Sequence, residues 1–320
     1  MNSEDSISLG FDIGGTNIRG VALRTDLSFG ETISESCEDD HEKIIQTLVR
    51  VANRIQGKER LEIKSIGIGV AGFIDKSGVV RTSPNLSTFA DYPLLEQVRH
   101  EFDIPVLIEN DATSATWAEV QLGAAREAKN AIMVCLGTGI GAGLYINSEL
   151  ARGASGFAGE VGHMVIVPDG LQCPCGRSGC WERYASGASF GNIAEASMQS
   201  GESSSLVNND DGFREPFQSE WISRLVLARN QEALNALDEF GYWVALGLAN
   251  LVNIFDPEKV VLGGGITELG APLLDSVKKS YERMTPERSL RSKDMLVLAQ
   301  FGNGAGAIGA ALLAMQNFSE

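Results

Sequence analysis

The chain has 320 residues, 43% hydrophobic and 21% charged, with a formal net charge of −16. That is enough chain for a sizeable core in one large or two medium domains. The acidity argues against nucleic-acid and anionic-membrane partners, because neutralising phosphates takes clustered Lys and Arg and no basic run stands out.

The opening MNSEDSISLGFDIGG lacks the charged n-region and apolar h-region of an export signal. The longest apolar helical stretch, residues 242–255, is interrupted by Asn250 and Asn253 and is too short to span a bilayer. Both features point to a cytoplasmic enzyme.

Residues 7–12 predict a strand, Gly14 and Gly15 force a turn, and residues 18–23 resume a strand, giving a glycine-turned hairpin. Residues 41–54 set Ile44, Ile45, Leu48, Val49, Val51 and Ala52 at helical spacing, so one face is buried. A strand at 66–70 follows, then a turn at Gly72, an extended segment at 79–81, a loop with Pro84 and Asn85, and a helix over about 93–102. Residues 106–108 read as a buried strand ending in Glu109, Asn110 and Asp111. The helix predicted over 112–122 then has Asp111 near its N-cap. In open α/β sheets ligands collect at such carboxyl ends of strands.

Residues 131–136 form another apolar strand, followed by a glycine cluster over 137–143 and a strand at 144–146. Strand, Gly/Thr turn, strand thus occurs at FDIGGTNIRGVAL and again at CLGTGIGAGLYIN, as expected of two related halves facing each other. Residues 199–216 are polar and turn-rich and read as an exposed loop. Leu237, Phe240, Val244, Leu248, Leu251 and Phe255 then form a helical stripe ended by Asp256 and Pro257. A strand at 259–262 closes on Gly263, Gly264 and Gly265. Helices follow at 269–283 and 304–315, the latter rich in Gly and Ala and suited to close packing.

The densest chemistry lies between Gly159 and Ser186. Cys173, Cys175 and Cys180 fall within eight residues and His163 lies ten residues before the first. Three thiolates and one imidazole make a closed tetrahedral donor set that favours structural Zn²⁺. Pro174, Gly176 and Gly179 supply the turns that bring the sulfurs together. A disulfide is the weaker reading, since nothing marks the chain for an oxidising compartment.

Three glycine clusters each follow a predicted strand: Gly14 with Gly15, Gly137 to Gly143, and Gly263 to Gly265. Consecutive backbone N–H groups in such turns can cradle a polyphosphate. Thr16 and Thr138 add hydroxyl donors, and Asp12 is placed to hold Mg²⁺ through water. A P-loop is excluded, because Gly57-Lys58 is followed by Glu59 and lacks the upstream glycine. Gly137, Gly139 and Ala142 fit G-x-G-x-x-A, with Glu160 about twenty residues on, but a strand follows where the dinucleotide motif needs a helix.

These segments together resemble the ROK family of sugar kinases, and within it the bacterial glucokinases of actinobacterial type, over nearly the whole chain. FDIGGTNIRG resembles the first phosphate loop, VAGFID a glycine turn, SPNL the sugar-contacting loop and ENDA the catalytic segment. LGTGIGAG resembles the second phosphate loop, and LGGG the adenosine-side turn. GEVGH and CPCGRSGCWERYASG resemble the family's two signature stretches. Ala71 and Phe89 depart from the proline and tryptophan common among relatives.

The resemblance implies an α/β protein with the actin-like ATPase (ribonuclease H-like) fold, two domains flanking a cleft. Residues 1–115, joined by a C-terminal helix at 303–320, would form the smaller domain. Residues 116–302 would form the larger one with the zinc loop. Repressors of the family carry an N-terminal winged helix, and here eleven residues precede Asp12. The implied reaction is ATP-dependent phosphorylation of glucose at its 6-hydroxyl. A kinase for another hexose or N-acetylated aminosugar, polyphosphate as donor, and a sugar sensor without catalysis stay open.

The resemblance makes Asp111 the base and assigns sugar contacts to Asn85, Asn110, Asp111, Glu160, His163 and Glu182. Spacing alone leaves base and helix cap equally open for Asp111. A helix N-terminus is expected to keep it ionised. Asp12, Gly14, Gly15, Thr16, Asn17, Thr138 and Gly139 would serve ATP and Mg²⁺, with Gly264 and Gly265 on the nucleoside side. His163, Cys173, Cys175 and Cys180 would hold zinc, one imidazole nitrogen on the metal and the other toward the sugar. Relatives imply a homodimer or homotetramer.

Overall fold

The computed structural model describes residues 6–200 and 217–318. The chain divides into two compact units: residues 1–127, 143–159 and 303–320 form unit 1, and residues 128–142 and 160–302 form unit 2. The boundary expected at 115 falls inside a helix, and residues 143–159 return to unit 1, because the strand entering them packs on that helix.

The chain begins with strands β1 (Ser6–Ile13), β2 (Asn17–Arg24) and β3 (Ile33–Ser36), an antiparallel meander. Helix α1 (His41–Glu59) follows, capped by Asp40, whose side chain accepts from the N–H groups of Glu42 and Lys43. Glu42 in its first turn and Lys58 in its last complement the helix dipole. Strands β4 (Glu62–Val70), β5 (Phe73–Ile74) and β6 (Val80–Thr82), helix α2 (Leu94–Glu101), strand β7 (Val106–Asn110) and helix α3 (Asp111–Gln121) complete this stretch. The first sheet has the order β3-β2-β1-β4-β7, with β1, β4 and β7 parallel.

Strand β8 (Ala131–Leu136) opens the second sheet, with β9 (Ile140–Ile146) and β10 (Glu149–Leu150). The strand expected at 144–146 therefore starts four residues earlier, and Gly141 and Gly143 lie in it rather than in the turn. Gly143 sits there because a side chain would strike the Thr116 hydroxyl. Helices α4 (Glu182–Ala185), α5 (Gly187–Ser200), α6 (Phe217–Leu227) and α7 (Gln231–Phe255) follow. Gln199 and Ser200, expected in a loop, end α5, and the rest of that loop lies outside the described residues. Strand β11 (Lys259–Gly263), helix α8 (Ala271–Met284) and strand β12 (Leu296–Leu298) close the sheet in the order β10-β9-β8-β11-β12. In each sheet the strands, numbered by appearance, run third, second, first, fourth, fifth. The recurrence noted in two glycine hairpins is thus a repeat of whole sheets.

The last helix, α9 (Ala305–Phe318), belongs to unit 1. Gly10 of β1 is register-paired with Gly67 of β4. A Cβ on either would collide with the backbone carbonyl of Ala307 or Ala310, so the two glycines form the notch that admits α9. Phe11 points to the opposite face, where Val51 and Ile55 of α1 pack. Its full burial contributes about 2–3 kcal/mol. The first sheet is therefore covered on both faces.

Candidate functional site

In unit 1 the carboxyl ends of β1 and β7 carry the two key acids. Asp12 is cross-strand partner to Arg19 in the hairpin, and their charged groups lie 3.7 Å apart. Burial and the nearby charge of Asp111 push the Asp12 carboxyl up to about 7 against the opposing pull of Arg19. A Cβ on Gly306, in the first turn of α9, would lie 3.0 Å from the Asp12 carboxyl carbon. A side chain there would require the carboxylate to give by a few tenths of an ångström.

The helix cap expected of Asp111 is made by its neighbour. The Asn110 side-chain oxygen accepts from the Thr113 N–H at 3.0 Å, and its amide donates to the Gly72 carbonyl at 3.2 Å. Asn110 thereby fixes the loop with one of its two amide hydrogens and one oxygen lone pair. Asp111 is the first residue of α3, and its Oδ1 accepts from the Ala112 N–H at 2.8 Å. Contrary to the expectation from the helix end, burial outweighs that bond and raises its pKa. Glu109 is held by Arg152 at 2.5 Å and accepts from the Asn110 N–H at 3.0 Å, so this strand end is braced from both sides.

The turn after β1 is closed by a bond from the Gly14 N–H to the Asn17 carbonyl, 3.0 Å. The Asn17 amide donates to the exposed Thr16 hydroxyl, 2.9 Å. Asn85 lies against this loop, since a Cβ on Gly15 would sit 3.1 Å from the Cβ of Asn85. Phe89, a departure from the family pattern, is fully buried and stacked on Tyr92 with ring centroids 4.9 Å apart. It is a core residue rather than a rim residue.

In unit 2 the cysteine knuckle folds by a turn in which the Cys173 N–H donates to the Arg177 carbonyl at 2.8 Å. Gly176 and Gly179 adopt φ of 87° and 80°. His163, Cys173, Cys175 and Cys180 each offer one ligand atom, all within 4.8 Å of one another. Cys173 Sγ to His163 Nδ1 is 3.8 Å, and Cys175 Sγ to Cys180 Sγ is 3.6 Å. Bonds of about 2.3 Å to a tetrahedral Zn²⁺ require ligand separations of about 3.8 Å. The donor set therefore fits that ion in type and spacing. No disulfide joins the described cysteines.

Glu182 borders this cluster: its Oε1 accepts from Cys173 Sγ at 3.1 Å and lies 3.4 Å from His163 Nδ1. Its Oε2 would be 2.9 Å from a Cβ on Gly139. One carboxylate thus lies beside both the His/Cys cluster and the glycine turn between β8 and β9, where Thr138 is exposed. Glu160 precedes the short helical turn Val161–His163. Gly264 adopts φ 89° after β11 and accepts from the Thr267 hydroxyl at 2.6 Å, while Gly265 faces open space. Arg19, Gly306 and Arg152 are not among the residues the sequence singles out, and Glu109 figures there only as the end of a strand.

Residues 8–317 match the ROK family. The chain belongs to the ROK family. Among ROK relatives, a glucokinase of Streptomyces coelicolor is 34% identical over 97% of this chain and 98% of its own length. A xylose repressor of Bacillus spizizenii is 32% identical over 99% of this chain and 79% of its length. The crystal structure of a ROK glucokinase from Streptomyces griseus with glucose and AMPPNP superposes with a TM-score of 0.85 at 32% identity, covering 97% and 99% of the two chains. The ROK fold is the actin-like ATPase fold, which accounts for the repeated sheet order. Among the described residues no helix is long and apolar enough to cross a membrane.

Proposed function

We propose that this ROK protein is a glucokinase that transfers the γ-phosphoryl group of ATP to the 6-hydroxyl of glucose. The observation that carries the reading is the division of labour at residues 110 and 111. Asn110 caps α3, so Asp111 is not needed as the cap, and its carboxylate is held in place by first-turn backbone N–H groups such as that of Ala112. Its raised pKa makes it a better proton acceptor than an ordinary surface carboxylate. The relatives named glucokinase support this choice of chemistry and substrate.

Asp111 accepts the proton of the attacking hydroxyl as its bond to phosphorus forms, the modest proton-transfer help a loose transition state needs. Asn85, Asn110, Glu160, His163 and Glu182 bind the sugar hydroxyls. Gly14, Gly15, Thr16, Asn17, Thr138 and Gly139 bind phosphate, and Gly264 with Gly265 the nucleoside. Asp12 would hold Mg²⁺ through water. The fit is electrostatic: Asp12 and Asp111 form an undercompensated negative pair that a divalent cation relieves. Bound there, the cation would neutralise β- and γ-phosphate charge.

His163, Cys173, Cys175 and Cys180 would hold a structural zinc through His163 Nδ1. Zinc would supply rigidity, fixing the imidazole so that Nε2 is free for a sugar hydroxyl. The protein works in the cytoplasm as a homodimer or homotetramer, a reading supported by the family resemblance.

A coupled assay over a panel of hexoses and N-acetylated aminosugars, with ATP and polyphosphate as donors, tests the proposal. Glucose-dependent ADP formation with the highest kcat/KM for glucose is expected. Sugar binding without turnover would replace the kinase by a sensor.

A further inference from the structure

The segment between β3 and α1 makes contacts that no step above uses. Its first residue, Cys37, donates its backbone N–H to the Thr16 carbonyl at 2.9 Å and its thiol to the Gly14 carbonyl at 3.4 Å. Its last, Asp40, caps α1. Between them the Asp39 carboxylate receives four hydrogen bonds: Ser87 N–H and hydroxyl at 2.9 and 2.6 Å on one oxygen, Thr88 N–H and hydroxyl at 3.2 and 2.8 Å on the other. Ser87 and Thr88 directly follow the SPNL stretch that carries Asn85. Asn85 in turn packs on Gly15 of the phosphate loop.

We propose that Asp39 is a positioning residue which, from a strap fixed to the phosphate loop and to α1, sets the register of the Asn85 loop for the sugar. The inference deepens the glucokinase reading and rests on it. Leu86 and Phe89 anchor the loop in the core, but Pro84, Asn85 and Ser87 are exposed, so packing does not fix the stretch that presents the Asn85 side chain. A carboxylate that satisfies two consecutive backbone N–H groups and two hydroxyls fixes both the path and the tilt of the chain there. Because Cys37 and Asp39 are two residues apart on a segment anchored at both ends, the two ligand loops are referred to one rigid element. Without those bonds the exposed positions between the buried anchors can sample other conformations, and each competent fraction lost appears as weaker binding.

The test compares wild type, Asp39→Ala, Asp39→Asn and a Ser87→Ala/Thr88→Val double variant. Asp39→Ala is expected to raise the KM for glucose on the order of ten-fold, the loss of a charge-assisted bond pair. The KM for ATP and the Tm should stay near wild type. Asp39→Asn, which keeps one acceptor oxygen, should fall between. The double variant, which keeps the carboxylate and both backbone donors, should show a smaller rise of the same kind and guards against a folding failure of Asp39→Ala. Amide exchange at Ser87 and Thr88 should accelerate in Asp39→Ala while α1 is unchanged.

An unchanged glucose KM would overturn the inference, as would glucose and ATP KM rising together with a falling Tm. If wild type phosphorylates no sugar, the function proposal fails and amide exchange alone decides the strap. Unaltered exchange at Ser87 and Thr88 in Asp39→Ala then refutes it.

Discussion

The carboxylates of Asp12 and Asp111 interact: the charge on Asp111 adds to burial in lifting the Asp12 carboxyl to about 7. Two acids from different strand ends thus share one region of negative potential inside unit 1. Arg19, 3.7 Å from Asp12, offsets part of it.

A pH dependence of stability follows. Asp12 binds its proton more tightly folded than unfolded, so its ionisation costs the folded state as pH rises from the ordinary carboxylate range to about 7. The contribution is fully present below that window and lost above it. Thermal melts from pH 4 to 8 should show wild type losing stability relative to Asp12→Asn across the window. Parallel curves for the two proteins would contradict the shift.

Asp111→Asn retains the hydrogen-bonding shape and removes the base. We expect kcat to fall by about 10²–10⁴ with the glucose KM little changed, as when help is lost only in the transition state. The acid limb of the wild-type pH–rate profile should lie above the ordinary carboxylate range, given the direction of its shift. Near-normal turnover in the variant would move the base elsewhere.

Gly306→Ala separates stability from activity. Alanine in an α-helix is favoured over glycine by about 0.8–1.0 kcal/mol, yet here its Cβ would press on the Asp12 carboxyl carbon from 3.0 Å. The Tm should hold or rise while the KM for ATP increases. A variant with unaltered kinetics would show that Asp12 shifts without consequence.

Removal of metal tests the cysteine knuckle. Elemental analysis should find one zinc per chain, and Cys175→Ser should lose it with a raised glucose KM, through loosening of His163 and Glu182. Full metal content and normal kinetics in Cys175→Ser would refute the structural-zinc proposal.

Much of this was legible in the residues. The hairpin at Gly14 and Gly15, the stripe of α7 and the cysteine spacing each have one dominant physical reading, and the structure contains them. Short strands such as β3, β10 and β12 were missed, because two to four residues cannot display a period. The cap at Asn110 rather than Asp111 is a one-residue question that pattern does not resolve when both side chains can cap. Arg19 could have been found: a hairpin turning at Gly14 and Gly15 pairs it with Asp12. Gly306 and Asp39 could not, since each acts on residues distant in sequence.

The notch formed by Gly10 and Gly67 also bears on biosynthesis. The helix it receives follows all of unit 2 in chain order, so the ribosome makes the first sheet long before it makes α9, one of that sheet's covers. Until translation reaches α9, that face, lined along β1 and β4 by Ser8, Gly10, Ser65 and Gly67, stays open to water and to misassembly.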